Sequence, residues 1–109
     1  MSYEISGKQI TLTRGDTFVG RFPMAVDGKE YTLEDGDKCF FGVKADPDDE
    51  DPIILKRLTD DYVLELQPND TKGMDFGKYW YDVYITFADG RTLTYITEAR
   101  LIIGKESHT

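Results

Sequence analysis

Few side chains in this 109-residue chain are suited to chemistry. His108 is the single histidine and Cys39 the single cysteine, so no histidine-dependent dyad or triad can be drawn from the fold. A structural zinc site needs several Cys or His ligands, and these two lie far apart in sequence. Cys39 sits in the apolar run Lys38-Cys-Phe-Phe-Gly-Val43, which suits a buried, inert thiol, and without a second cysteine no internal disulfide forms. Gly104-Lys105 lacks the upstream glycine and the following Ser or Thr of a phosphate loop. The acidic loop from Asp46 to Pro52 alternates Asp46, Asp48 and Glu50 as calcium ligands do. Its sixth position is Asp51 instead of the turning Gly, and its twelfth is Arg57 instead of Glu, so a solvated hairpin tip is expected. No two carboxylates stand out in an apolar setting as a glycosidase pair would. The expectation is a non-enzyme with no catalytic residue, no cofactor and no metal.

With no reactive centre, function must follow from architecture and surface, and both are organised around Lys78 to Ile103. Two runs rich in β-branched and aromatic residues flank Asp89-Gly90, a strong hairpin signal. In the first run Tyr79, Tyr81, Val83, Ile85 and Phe87 share one face, and Trp80, Asp82, Tyr84 and Thr86 the other. In the second run the apolar set is again odd-numbered: Leu93, Tyr95, Thr97, Ala99, Leu101 and Ile103. A two-residue loop would pair odd with even positions and split the core. The spacing therefore predicts a three-residue loop, Ala88-Asp89-Gly90, with Gly90 at positive φ, Ile85 opposite Leu93 and Val83 opposite Tyr95.

The length suits one domain, residues 1–109, with residues 1–7 and 105–109 expected to be flexible ends. A hydrophobic content of 39% supports one core, and 13% aromatic residues argue against disorder. No apolar run reaches bilayer length and the first residues lack the apolar segment of a secretion signal, so cytoplasmic synthesis is expected. The net charge of −8 disfavours nucleic acid and anionic membranes as partners and leaves room for basic partner surfaces.

Earlier strands are expected at Lys8–Thr13, Thr17–Met24 (Phe18, Phe22 and Met24 inward), Lys38–Ala45 (Cys39, Phe41 and Val43 inward), Ile53–Leu58 and Tyr62–Gln67. Arg14-Gly15-Asp16 matches a cell-adhesion tripeptide, and turn chemistry accounts for it. Asn69 or Asp70 is placed to cap a single helical turn, the only helix expected. About seven short strands with turns every eight to twelve residues read as an all-β, immunoglobulin-like antiparallel β-sandwich. Asp75-x-Gly77-x-Tyr79 has the spacing of a tyrosine corner, with Tyr81 where antibody domains place a cysteine. Trp80, Tyr84 and Ile96 project from the opposite face and are the candidate protein interface.

Several motifs together resemble a known family. They are Ile10-Thr-Leu-Thr-Arg-Gly-Asp-Thr-Phe18, Cys39-Phe-Phe-Gly-Val-Lys44, the acidic loop with Ile53-Ile-Leu-Lys56, Leu66-Gln-Pro-Asn-Asp-Thr71 and Gly77-Lys-Tyr-Trp-Tyr-Asp-Val83. This ensemble, spanning nearly the whole chain, resembles small phage and prophage structural domains, above all the N-terminal domain of phage baseplate upper proteins. The resemblance implies an immunoglobulin-like sandwich in a tail or baseplate, located in the virion. Its partners would be other phage structural proteins or further copies of itself, and it would have no activity. Those relatives continue into long C-terminal regions, whereas this sequence stops at Thr109, so a stand-alone component is expected. The alternative reading is a carbohydrate- or calcium-binding module of the same fold.

Overall fold

Runs of β-branched and aromatic residues broken by Asp-Gly and Pro turns leave almost nothing at helical spacing, and the chain is all-β. The computed structural model describes residues 3–6 and 9–104. In chain order the strands are β1 (Tyr3–Ser6), β2 (Gln9–Thr13), β3 (Phe18–Arg21), β4 (Ala25–Val26), β5 (Lys29–Glu30), β6 (Lys38–Lys44), β7 (Ile54–Arg57), β8 (Val63–Leu66), β9 (Gly77–Thr86) and β10 (Thr92–Gly104), with α1 (Pro68–Lys72) before β9. The seven expected strands are all present, and β1 and the small β4–β5 hairpin are additions. β1 falls within the expected flexible end 1–7 but pairs antiparallel with β2. The expected flexible end 105–109, with residues 1, 2, 7 and 8, lies outside the described residues.

Six strands form one sheet in the order β1-β2-β10-β9-β6-β7, curled into a half-barrel. β3 and β8 form a separate pair. The sheet is not antiparallel throughout, because β2 and β10 run parallel with Leu101 opposite Ile10. No short loop joins these two strands, so nothing forces the antiparallel register that a hairpin would. The inner face of the sheet carries Ile10, Leu12, Phe41, Tyr81, Val83 and Ile85, all at most 1% exposed. Phe18, Phe22, Tyr62, Leu64 and Leu66 are buried in the same apolar cluster. Each large side chain buried there contributes roughly 1.5–3 kcal/mol before entropy is subtracted.

The β9–β10 hairpin closes as its sequence predicts. Phe87 N–H donates to Arg91 O at 2.8 Å, Gly90 N–H donates to Phe87 O at 2.9 Å, and Gly90 has φ 94°. That leaves Ala88, Asp89 and Gly90 as the loop and sets Ile85 opposite Leu93. Beyond Thr94 the expected register fails. Val83 pairs with Ile96 instead of Tyr95, and Tyr81 pairs with Ala99. Two bulges account for this, one placing both Tyr95 and Ile96 against Val83 and one placing Thr97 and Glu98 against Asp82. Bulges add local twist, which a sheet curling this strongly requires. The second bulge leaves Thr97 exposed, and Leu93, near the hairpin tip, is 45% exposed although its register is the expected one, so those two leave the shared interior that the odd-numbered pattern suggests.

Short polar contacts fix the turns. The Tyr79 hydroxyl donates to the Asp75 carbonyl oxygen at 2.8 Å, the backward bond that the tyrosine-corner spacing predicts. The N-cap of α1 is Gln67, not Asn69 or Asp70, because Pro68 is pre-set for the first helical position. Asp70 instead reaches back, its carboxylate accepting the Gln67 N–H at 2.7 Å. The Arg14-Gly15-Asp16 turn is tied down: Gly15 N–H donates to Thr71 Oγ1 at 2.9 Å and Arg14 donates to Met74 O at 3.2 Å.

Candidate docking face

The outward side of the six-stranded sheet is built by even positions of β6 and β9. Trp80 and Tyr84 lie on it together, each half-buried. Lys44 and Arg100 flank Trp80 in register, with the Arg100 guanidinium carbon 5.4 Å from the indole centre. Phe40 and Thr94 flank Tyr84, with the two rings 5.5 Å apart and tilted by 30°. Burial raises the pKa of the Tyr84 hydroxyl. On the neighbouring β7, Leu55 stands opposite Gly42 and is 51% exposed. A side chain at Gly42 would lie 3.7 Å from Pro52 and 3.8 Å from Leu55, so the end of the acidic loop comes down onto this face.

Ile96, the third expected interface residue, is not part of the face. The first bulge sets it opposite Val83, where it packs against the core. Phe40 and Leu55 take part where the sequence reading names neither. Both were recoverable from strand alternation, since Phe40 opposes Cys39 and Phe41, and Leu55 opposes Ile54. The same face carries Lys38, Lys44, Arg57, Lys78 and Arg100, placed by register beside Thr86, Trp80, Phe40, Ile102 and Trp80. None of these five makes an ion pair with a described residue; the pairs found are Arg21–Glu30, Lys56–Asp70 and Arg91–Asp89.

Other polar groups serve the fold. Cys39 is fully buried, 3.3 Å from the Tyr95 hydroxyl, and burial pushes its thiol pKa up, away from the reactive thiolate. The Tyr95 hydroxyl also donates to Phe22 O. Asp37 is buried and accepts from the Tyr31 hydroxyl at 2.6 Å, from Glu34 N–H at 3.0 Å and from Ala88 N–H at 3.2 Å. In the acidic loop Asp46 Oδ1 accepts Asp48 N–H at 3.0 Å and Asp49 Oδ2 accepts Asp46 N–H at 3.2 Å, so those carboxylates shape the turn. Among the described residues no three Cys, His, Asp or Glu side chains converge as a metal site needs, and no helix is long and apolar enough to cross a membrane.

No protein-family model matches the chain, and no curated protein matches it.

Proposed function

We propose that this chain is a structural protein of a phage or prophage virion, a tail or baseplate component that works by docking. The observation that carries the docking half is the outward face of β9 and β6, where Trp80, Tyr84 and Phe40 lie half-exposed beside the exposed Leu55. Half-exposed aromatics with an apolar neighbour and a cationic rim have the composition of an interface centre, where Trp, Tyr and Phe concentrate. The virion half rests on the motif ensemble that resembles baseplate upper proteins.

The finer architecture within the all-β class belongs to the same proposal. We read the chain as an immunoglobulin-like domain, with β3 as strand B, β6 as C, β7 as C′, β8 as E, β9 as F and β10 as G. The order β10-β9-β6-β7 is then G-F-C-C′ in one layer, and the β3–β8 pair is B–E in the other. Tyr79 stands at the start of F, after a helical turn at the E–F corner. Phe41 on C and Tyr81 on F pack their rings 5.0 Å apart, where antibody domains set a tryptophan against a disulfide.

The test is to induce the strain that encodes the chain, purify particles on a density gradient and identify their proteins by mass spectrometry. The expected result is this chain at a fixed ratio to tail proteins. Its absence from particles, with the protein present in the lysate, overturns the virion reading.

A further inference from the structure

The docking face is more basic than the rest of an acidic molecule. The chain carries 21 acidic and 13 basic side chains, yet Lys38, Lys44, Arg57, Lys78 and Arg100 share this face with Asp82 and the bulged Glu98. The complement lies at its border. Between β6 and β7 the loop carries Asp46, Asp48, Asp49, Glu50 and Asp51, none of them ion-paired to a described residue. Pro52 at its end sits over Gly42, so the loop rises beside the face.

The register sets Lys44, Lys78 and Arg100 at the loop's own end of the strands and leaves Lys38 and Arg57 at the far end. Lys38 starts β6 and Arg57 ends β7 at the Phe40 level, while the acidic loop follows Lys44 at the opposite end. These ends are roughly 20 Å apart at about 3.4 Å per residue. A two-fold axis across the strands, near Gly42, reverses one copy on the other. It brings the acidic loop of each copy over Lys38 and Arg57 of its mate, with Phe40, Trp80, Tyr84 and Leu55 between them. A contact of this kind satisfies both charges twice, as an isologous interface requires.

Resting on the docking reading above, we propose that the occupant of this face is a second copy of this chain, in a two-fold dimer held by loop 46–51 against Lys38 and Arg57. A polyanion fits the face less well, because the same loop and the net charge of −8 repel it. The face is small. Four strands at about 4.8 Å spacing over about 20 Å give roughly 400 Å² per copy before the loop is added. With the loop the total buried area lies near the lower bound of about 1,000 Å² for specific interfaces, so the dimer belongs to the weak, transient class.

Charge exchange tests this better than added salt, since salt screens the loop contacts and the overall repulsion together. Sedimentation equilibrium up to millimolar concentration should show a monomer–dimer equilibrium. The variants Asp48→Lys with Glu50→Lys, and Lys38→Glu with Arg57→Glu, should each weaken it about tenfold or more. Mixing the two variants should restore dimers, with circular dichroism confirming that each is folded. A strict monomer, a dimer indifferent to both variants, or an unrestored mixture overturns the proposal. So does a monomer that binds a single-stranded oligonucleotide on this face. A monomer that is still found in particles sinks the self-pairing alone, and a charge-dependent dimer absent from particles sinks the virion reading alone.

Discussion

The Oγ1 of Thr71 accepts the backbone N–H of Gly15 at 2.9 Å, joining the turn after β2 to the last part of α1 across 56 residues of sequence. Thr71 is fully buried, so this oxygen has no water to replace it as a partner. Thr71→Val keeps the shape and removes the acceptor, leaving the Gly15 N–H unmatched. The expected loss is about 1–3 kcal/mol in urea unfolding, with Thr71→Ser losing less. Equal losses for Val and Ser would show that packing of the methyl, not the hydrogen bond, holds the turn.

Tyr79 acts at the other end of the same corner. Its ring is buried while its hydroxyl reaches the carbonyl of the exposed Asp75 at 2.8 Å. Water can take over that carbonyl, so Tyr79→Phe should cost only about 1 kcal/mol. The measurement is the shift of the urea midpoint at unchanged slope. No shift at all would remove the hydroxyl from any account of how β9 begins.

Gly20 on β3 is fixed by space. A Cβ there would lie 2.6 Å from Cζ and 2.9 Å from Cε2 of Phe18, whose side chain is completely buried. Phe22 is also close, at 3.4 Å. With Phe18 held in the core, Gly20→Ala should lose about 1–3 kcal/mol through overpacking. Adding Phe18→Leu should recover part of that loss; if it recovers none, the strain lies in the backbone.

These contacts show which parts of the fold the sequence carries. The alternation of β9 is local, and Tyr79, Tyr81, Val83 and Ile85 are buried as their spacing predicts. The loop Ala88-Asp89-Gly90 is legible because only a three-residue connection keeps Ile85 and Leu93 in step. The bulges in β10 are not legible. They answer to the curl of the whole sheet, and the second places Glu98 at φ 49° with no glycine to announce it. That is why Trp80 and Tyr84 share a face as expected and Ile96 does not. β1 and the parallel pairing of β2 with β10 depend on contacts between distant segments, to which local periodicity is blind.

Tyr95 shows what the first bulge accomplishes. Its ring packs against the core and its hydroxyl meets both Phe22 O and Cys39 Sγ. Burial raises the pKa of the hydroxyl first of all, so it stays a donor at any ordinary pH. Tyr95→Phe should therefore lose about 1–2 kcal/mol by leaving Phe22 O without its donor. It should also speed the reaction of Cys39 with a thiol reagent under native conditions, because a less stable fold opens more often. In the native protein that reaction should be slow and in denaturant fast. Rapid native labelling would contradict the buried position of Cys39.

Asp37 is a buried carboxylate whose hydrogen bonds make it a source of acid sensitivity. The Tyr31 hydroxyl bond contributes most to holding its carboxyl below the ordinary value of 3.8, with Glu34 and Ala88 N–H adding to it. The same bond is the main cause that raises Tyr31 to about 12, so its hydroxyl stays a donor across the acid range. The folded-state pKa of Asp37 is depressed, so its stabilisation is complete above the unfolded value and disappears as pH falls through the folded one. Asp37→Asn cannot accept from Ala88 and from the Tyr31–Glu34 side with both of its side-chain atoms. The connection after β5 and the tip of the β9–β10 hairpin should therefore loosen together. The expected outcome is a lower melting temperature at neutral pH, together with a shallower fall on acidification than in the parent chain. Tyr31→Phe should move both in the same direction by less, since two backbone donors remain. Parallel melting curves for parent and Asp37→Asn between neutral pH and about pH 2 would assign the acid transition to other carboxylates.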